Sequence, residues 1–419
     1  MLKAVAGLAA LLASAAFLYS GNGLQFTLLS MRADIENFST PLIGIMMASY
    51  YIGFIAGCRT NPSIIAAVGH IRTFVALASL ASASALAHSI FVDVYGWAVL
   101  RIVSGFCFAG MAMVLESWIN ERVSNEDRGR ILSVYRIVDL LALTAGNAMI
   151  AMANPAGFQL FAVTSILISI GLVPIALTRS EAPKPIAAAK LDLSALFKVS
   201  PVGAAGALMT GLANAGFWSI GPIFVSRIGY DVSVVSAFMI SVILGGAVSQ
   251  WPLGMLSDKI DRRFVIAGSS FFVAIAAGSI SLYGAVSQTH LLTLAVAMGA
   301  FMLPMLGLSI AHANDITLPE EAVKTNGGLL LLHGVGAVIG TFSASTIMAV
   351  FGPESLFVFI ASIYAGFSAF TLFRTTQNSA PEEKSPFAPI PRGAAPTVFE
   401  IVQSDEENST RESDPVPTA

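Results

Sequence analysis

The chain has 419 residues, 55% of them hydrophobic and only 11% charged, with 22 Lys+Arg against 25 Asp+Glu. Soluble globular domains carry about 25% charged residues, so a soluble enzyme or a disordered scaffold does not fit the bulk of the chain. The near balance of charge excludes a basic nucleic-acid surface. With a mean hydropathy of +0.77, what remains is a polytopic membrane protein.

An apolar run of about 20 residues spans a bilayer as a helix. Twelve such runs are predicted: 4–30, 41–58, 71–91, 95–118, 129–152, 157–178, 201–225, 232–256, 263–286, 291–313, 323–350 and 355–373. They are continuously apolar rather than alternating, which excludes barrel strands, and only closed backbone hydrogen bonding survives in lipid, so each is a helix. The first run resembles a signal peptide at Ala13-Ser14-Ala15, but its apolar character continues to Leu29. That is too long for a cleaved segment, and it reads as a retained span. Within it, Asn22 and Gln25 are three apart and share a face.

The second span carries Gly53 and Gly57, a small-xxx-small spacing that lets helices approach closely. Gly336 and Gly340 repeat it in the eleventh span. Arg101 lies about two turns into the fourth span, expected either to hold an anionic group or to pair with Asp34 or Glu36 of the first outer loop. In the fifth span Arg136 and Asp139 are three apart, and helical spacing extends their stripe to Leu143 and Asn147. Ionisable groups inside a membrane are costly and face a cavity or one another, so this stripe is expected to line an aqueous path, with Asp139 as the proton carrier.

The polar stretch 179–200 divides the chain into halves of six spans. The domains are therefore expected at 1–178, 179–200 (a linker), 201–374 and 375–419. In the seventh span Thr210, Asn214 and Trp218 step by four, and Asn214 answers Asn22. Glu116 and Arg128 are 12 apart, as are His312 and Lys324 at an offset of 196, which supports a duplication. Span eight ends in Gln250-Trp251, where Trp251 suits an interfacial anchor. Met298, Met302, Met305 and Ser309 in span ten read as core, and His333 in span eleven as a hydrogen-bonded packing histidine whose intrinsic pKa also suits pH coupling. Glu116, Arg128, Arg130, His312, Asn314 and Asp315 are expected to form a gate of charged loop contacts.

With the N-terminus placed in the cytoplasm, eighteen Lys and Arg residues fall on inner loops and tails and two, Arg32 and Arg227, on outer loops. The positive-inside rule then puts both termini in the cytoplasm. From about Thr375 the chain becomes Pro-rich, with eight acids and three bases, and is expected to be a disordered tail.

The run Gly254-Met-Leu-Ser-Asp258-Lys259-Ile-Asp261-Arg262-Arg263 between spans eight and nine resembles the loop signature of the major facilitator superfamily: a glycine, an aspartate four later, then a basic pair. Asp261 stands where that signature has a second glycine, and the first-half counterpart Pro62 to Arg72 has Ala66 in place of the aspartate. Arg101 with Gly105 is similar to another superfamily element, and Gly69-His70-Ile71-Arg72 with Glu116-Ser-Trp118 to Glu121 and Arg128-Gly129-Arg130 resembles the YcaD-type branch of bacterial permeases. Span five lacks the glycine-proline-rich motif of the superfamily's antiporters.

The resemblance implies an all-α fold of twelve transmembrane helices in two six-helix pseudo-repeat bundles. It also implies alternating access about a midplane site, in a bacterial inner membrane. The expected partners are a small-molecule substrate, protons and the lipid bilayer, without nucleic acid, and the chain is expected to act as a monomer. No catalytic residue, metal cluster or cofactor is expected, and no phosphate-cradling Gly-Lys-Ser/Thr run is present. Export of a partly apolar compound is the first expectation. Import or uncoupled facilitation of a polar metabolite, and a transporter-like receptor acting through its tail, stay open. The substrate and proton pathway is expected to use Asn22, Gln25, Arg101, Arg136, Asp139, Asn147, Asn214, Trp218 and His333, and the gate to use Gly254, Asp258, Arg262 and Arg263 besides the residues given above.

Overall fold

In the computed structural model, residues 2–122, 128–177 and 193–377 are described, together with Phe387, Ile390 and Ala395; the side chains of 2–7, 120–122, 128–130, 193–195, 319 and 320 fall outside the described set. The backbone is helical: α1 (Leu2–Ile35), α2 (Thr40–Val68), α3 (His70–Ile90), α4 (Val94–Arg122), α5 (Arg128–Met149), α6 (Gln159–Ala176), α7 (Leu193–Val199), α8 (Pro201–Arg227), α9 (Val232–Lys259), α10 (Arg262–Tyr283), α11 (Gln288–Met302), α12 (Met305–Asn314), α13 (Pro319–Phe351) and α14 (Ser355–Thr375). Eleven described stretches are long and apolar enough to cross a membrane, α11 and α12 together forming one. The twelfth long helix is α1, whose apolar run is interrupted by Ser20, Asn22, Gln25, Thr27 and Ser30. The chain is a multi-pass membrane protein.

One packing scheme occurs twice. In the first half α1 lies on α5 and α6, α2 on α4, and α3 on α4 and α6. In the second, α8 lies on α13 and α14, α9 on α11, and α10 on α11 and α14. The halves meet where α2 touches α13, α5 touches α9 and α1 touches α8. The α2/α4 and α8/α13 seams are close because they are glycine-lined. A Cβ on Gly53 would overlap the carbonyl oxygen of Ile102, and one on Gly340 that of Leu212. Without a hydrophobic drive between helices in lipid, such approach supplies the dispersion contact that holds a bundle.

Three features were not anticipated from the sequence. The tenth span is not continuous: it breaks between Met302 and Met305 at Leu303-Pro304. A proline within a helix removes one N–H and leaves the carbonyl four residues earlier without its partner. That carbonyl is Ala300, and the Ser249 hydroxyl of α9 donates to it, so the break is satisfied within protein. The linker also has structure. Residues 178–192 lie outside the description, but α7 forms, Leu196 tucks against Gly328, and Ser200 caps α8 by accepting from the Gly203 N–H at 3.2 Å. Lastly, of the residues beyond Gln377 three are described: Phe387 is half-buried, and Ile390 and Ala395 are buried. These are apolar residues amid the prolines, and the backbone N–H groups of Phe387 and Ala395 donate to carboxylates of the bundle.

Candidate functional site

Arg101 is carried by α4 into the middle of the first half, where it is fully buried. Its guanidinium carbon lies 4.2 Å from the Phe26 ring centroid (α1) and 4.4 Å from that of Tyr50 (α2). The two rings meet edge to face at 4.7 Å. A cation held against aromatic faces is stabilised by their quadrupoles, the more so away from water. The expected partners Asp34 and Glu36 are engaged elsewhere: Asp34 pairs with Arg227 at 2.7 Å and Glu36 with Arg32 at 2.5 Å. The cause is the length of α1, which runs through Asp34 to Ile35 and carries that carboxylate past the bundle interior to the last turn of α8.

On the same α1, Asn22 donates from Nδ2 to the Tyr50 hydroxyl at 3.4 Å. Gln25 is only 1% exposed, and neither its Oε1 nor its Nε2 has a hydrogen-bond partner among the described residues. Asn147 is a joint rather than a free group. It accepts from Thr27 at 2.7 Å, its Nδ2 donates to Leu143 O at 2.8 Å, and its carbonyl accepts from Ser236 of α9, also at 2.8 Å.

Arg136 and Asp139 form a buried ion pair on α5, and Arg136 Nε donates across the halves to Gln250 Oε1 of α9 at 3.1 Å. Beside them Tyr19 and Tyr135 share a hydrogen bond at 2.6 Å, within electrostatic reach of both Glu116 and Asp139. Sequence reading missed the Tyr19–Tyr135 pair and the bridging role of Gln250. The one available signal was Tyr19, three residues before Asn22 and so on its face.

The second half has a corresponding arrangement. Asn214 Oδ1 accepts from the Tyr364 hydroxyl at 2.9 Å, and Trp218 is buried edge-on against Phe217 at 5.2 Å. His333 Nδ1 lies 3.2 Å from Thr210 Oγ1 and 3.3 Å from Ala207 O, tying α13 to α8. Met298, Met302 and Met305 are buried in the core, and Trp251 is 77% exposed on the outside of the bundle.

The residues expected to form a gate divide into two groups on one end of the bundle, here called the basic face because Arg59, Arg72, Lys259, Arg262, Arg263 and Lys324 cluster at its helix ends. In the second half, buried Arg262 donates to Asp315 at 3.0 and 3.3 Å, pairs with Asp258 at 3.2 Å and donates to Ser257 at 3.1 Å. This knot binds α9, α10 and α12 to one another. Asp261, where the loop signature has glycine, caps α10 by accepting from the Arg263 N–H at 3.0 Å and from its guanidinium at 2.8 Å. Burial pushes the Asp261 carboxyl up, but the hydrogen bonds and charge of Arg263 outweigh it and leave it below the usual value. The stability it lends is thus present at neutral pH and fades as the pH falls through that lowered value.

Glu116 lies in the first half, fully buried near the end of α4, and accepts the backbone N–H of Ala395 at 3.2 Å on both oxygens. Asp258 accepts the N–H of Phe387 at 3.2 Å. The side chains of Arg128 and Arg130 lie outside the description. At the opposite end the halves bond directly, through Asp34–Arg227 and through Ser30, which donates to Ser219 O at 2.6 Å. No cluster of three or more His, Cys, Asp or Glu able to hold a metal lies among the described residues.

A family model described as Major Facilitator Superfamily matches residues 11–289 and 203–406. The chain is similar to two proteins named "Uncharacterized MFS-type transporter YcaD". That of Escherichia fergusonii is 22% identical over 80% of this chain and 87% of the relative, and that of Salmonella typhimurium is 23% identical over the same shares. Among solved structures it resembles the nucleoside transporter NupG, with a TM-score of 0.71, 13% identity and coverage of 87% of this chain and 98% of the other. It also resembles a D-xylose-proton symporter, with a TM-score of 0.68, 16% identity and coverage of 87% and 96%. At these identities the structures speak to the fold.

Proposed function

The chain belongs to the Major Facilitator Superfamily, and from that premise we propose that this secondary transporter is proton-coupled and exports a small, partly apolar compound by alternating access of its two halves. Gln25 carries the substrate reading. A buried carboxamide with no partner costs about 1–3 kcal/mol, and a ligand that hydrogen-bonds to it recovers that cost. The flanking Phe26–Tyr50–Arg101 cluster offers aromatic faces and a cation to the same ligand. Export is the direction in which a carrier adds most, because a partly apolar compound enters across lipid unaided. We place the basic face in the cytoplasm of a bacterial inner membrane, with both termini there and the chain a monomer, in keeping with the positive-inside rule.

The Arg136–Asp139 pair supports the coupling. While Asp139 is charged it holds Arg136, whose Nε bridges to Gln250 of the other half. Protonation removes that attraction and frees the bridge, linking proton occupancy to the movement of one half against the other.

A thermal-shift screen of the purified protein against metabolites and drugs identifies the ligand, and Gln25→Leu tests the site. The variant is expected to melt at a higher temperature than the parent without ligand, because the unpaired amide is gone, and to lose at least about tenfold in ligand affinity, the worth of one hydrogen bond into a buried site. Unchanged affinity removes Gln25 from the site. In proteoliposomes Asp139→Asn is expected to abolish flux driven by a pH gradient while leaving substrate exchange. An unchanged pH profile excludes Asp139 as carrier.

A further inference from the structure

The basic face bears two carboxylates from different halves, Asp258 on α9 and Glu116 on α4, and each accepts a backbone N–H from the same short piece of the chain's own tail. The Phe387 ring packs on Gly254, the glycine of the loop signature, so closely that a Cβ there would overlap the ring. Eight residues later Ala395 is fully buried at Glu116, with Ile390 buried between them. The tail begins nearby: α14 ends at Thr375, and Arg263, next to the Arg262 that pairs with Asp258, donates to the carbonyl of Arg374 at 3.4 Å. Twelve residues of extended chain reach about 40 Å, ample to bring Phe387 to Asp258.

Charge favours the same placement. Residues 375–419 hold eight acids and three bases, and Phe387 and Ala395 bond on the face where the basic residues cluster, where complementary potentials draw a segment in. The docking is chemically specific too. Ionised carboxylates are strong acceptors for backbone N–H groups, and a chain rich in proline leaves its remaining N–H groups unused by secondary structure. Glycine at 254 leaves the floor for an aromatic ring.

We propose that the basic face, where Asp258 of the second half and Glu116 of the first lie, is a peptide-docking surface whose occupant is the chain's own tail, with Phe387, Ile390 and Ala395 as anchors, and that the docked tail is an autoinhibitory strap. One end is fixed to the second half and the other to the first, so the strap resists their separation on this face. Transport requires its release. Because the tail is tethered, its effective concentration at the site is high and weak contacts suffice. High salt, which screens the charge attraction, loosens it. The inhibitory step rests on the transport reading; the docking does not.

Hydrogen exchange of the full chain in nanodiscs tests the docking without any substrate. Peptides spanning 387–395 are expected to exchange at least about tenfold more slowly than those from 401–419, as a docked segment does relative to a free one. The difference should disappear in Phe387→Ala, a tail substitution that leaves every helix intact. Equal exchange of the two regions in the full chain overturns the docking. If docking holds, initial flux in proteoliposomes is expected to rise severalfold in Phe387→Ala and in a chain ending at Gln377. Flux equal to that of the full chain overturns the inhibitory role while leaving the transport reading standing, and absence of flux from all three chains refutes the transport reading on which that role rests.

Discussion

Arg136→Leu should destabilise the purified protein by about 3–5 kcal/mol, the cost of leaving one member of a buried ion pair without its partner, whereas Arg136→Leu with Asp139→Leu should recover most of that loss. Arg136 and Asp139 are 6% and 1% exposed, so the surviving carboxylate has little water to turn to. In the double variant no charge is buried, and two leucines fill a similar volume. Gln250→Leu should cost less, about 1.5–3 kcal/mol, that of a hydrogen bond to a charged group whose main partner stays. Thermal or denaturant unfolding in detergent reads all three. If the single variant is as stable as the double, solvent reaches the pair. Flux driven by a pH gradient should be absent in every variant lacking Asp139, whatever its stability, and this separates folding from coupling.

The other large effect is expected at Gly105. A methyl group there would collide with the main-chain carbonyl oxygen of Tyr50, and backbone cannot swing aside as a side-chain end does. Gly105→Ala therefore forces α4 from α2, at about 1–3 kcal/mol or more for an overpacked contact. The same displacement shifts Tyr50, one of the two rings that face Arg101, so ligand affinity should fall with stability. Gly268 and Gly278 are the internal controls. A Cβ at either meets nothing within 4 Å, and alanine should be neutral or stabilising by up to about 1 kcal/mol through helix propensity. Equal melting of Gly105→Ala and Gly278→Ala would refute the close α2–α4 seam.

Hydropathy carried the architecture because length and apolarity are local properties, and the twelve predicted runs coincide with long helices to within a few residues at most ends. Arg136 with Asp139 was legible for the same reason, since a spacing of three fixes neighbours on a helix. The surroundings of Arg101 were not. Phe26 and Tyr50 come from two other helices at separations that no periodicity encodes, and the expected partner Asp34 was carried away by the extra turn of α1. The break at Pro304 was hidden because an apolar average does not register a missing N–H. For the tail, composition describes a mean, and it does not mark out Phe387, Ile390 and Ala395, the described tail residues that pack.

The break between α11 and α12 has a consequence for descent. Pro304 withdraws a donor from the carbonyl of Ala300, and Ser249, on another helix, supplies one. The two changes are not equally penalised: a proline without the hydroxyl strands a carbonyl at membrane depth, whereas the hydroxyl without the proline keeps an acceptor in the Gly246 carbonyl of its own helix. In lineages that keep this fold, a donor at position 249 should therefore be present wherever 304 is proline, and a homologue with proline there but alanine at 249 should carry a substitute donor nearby.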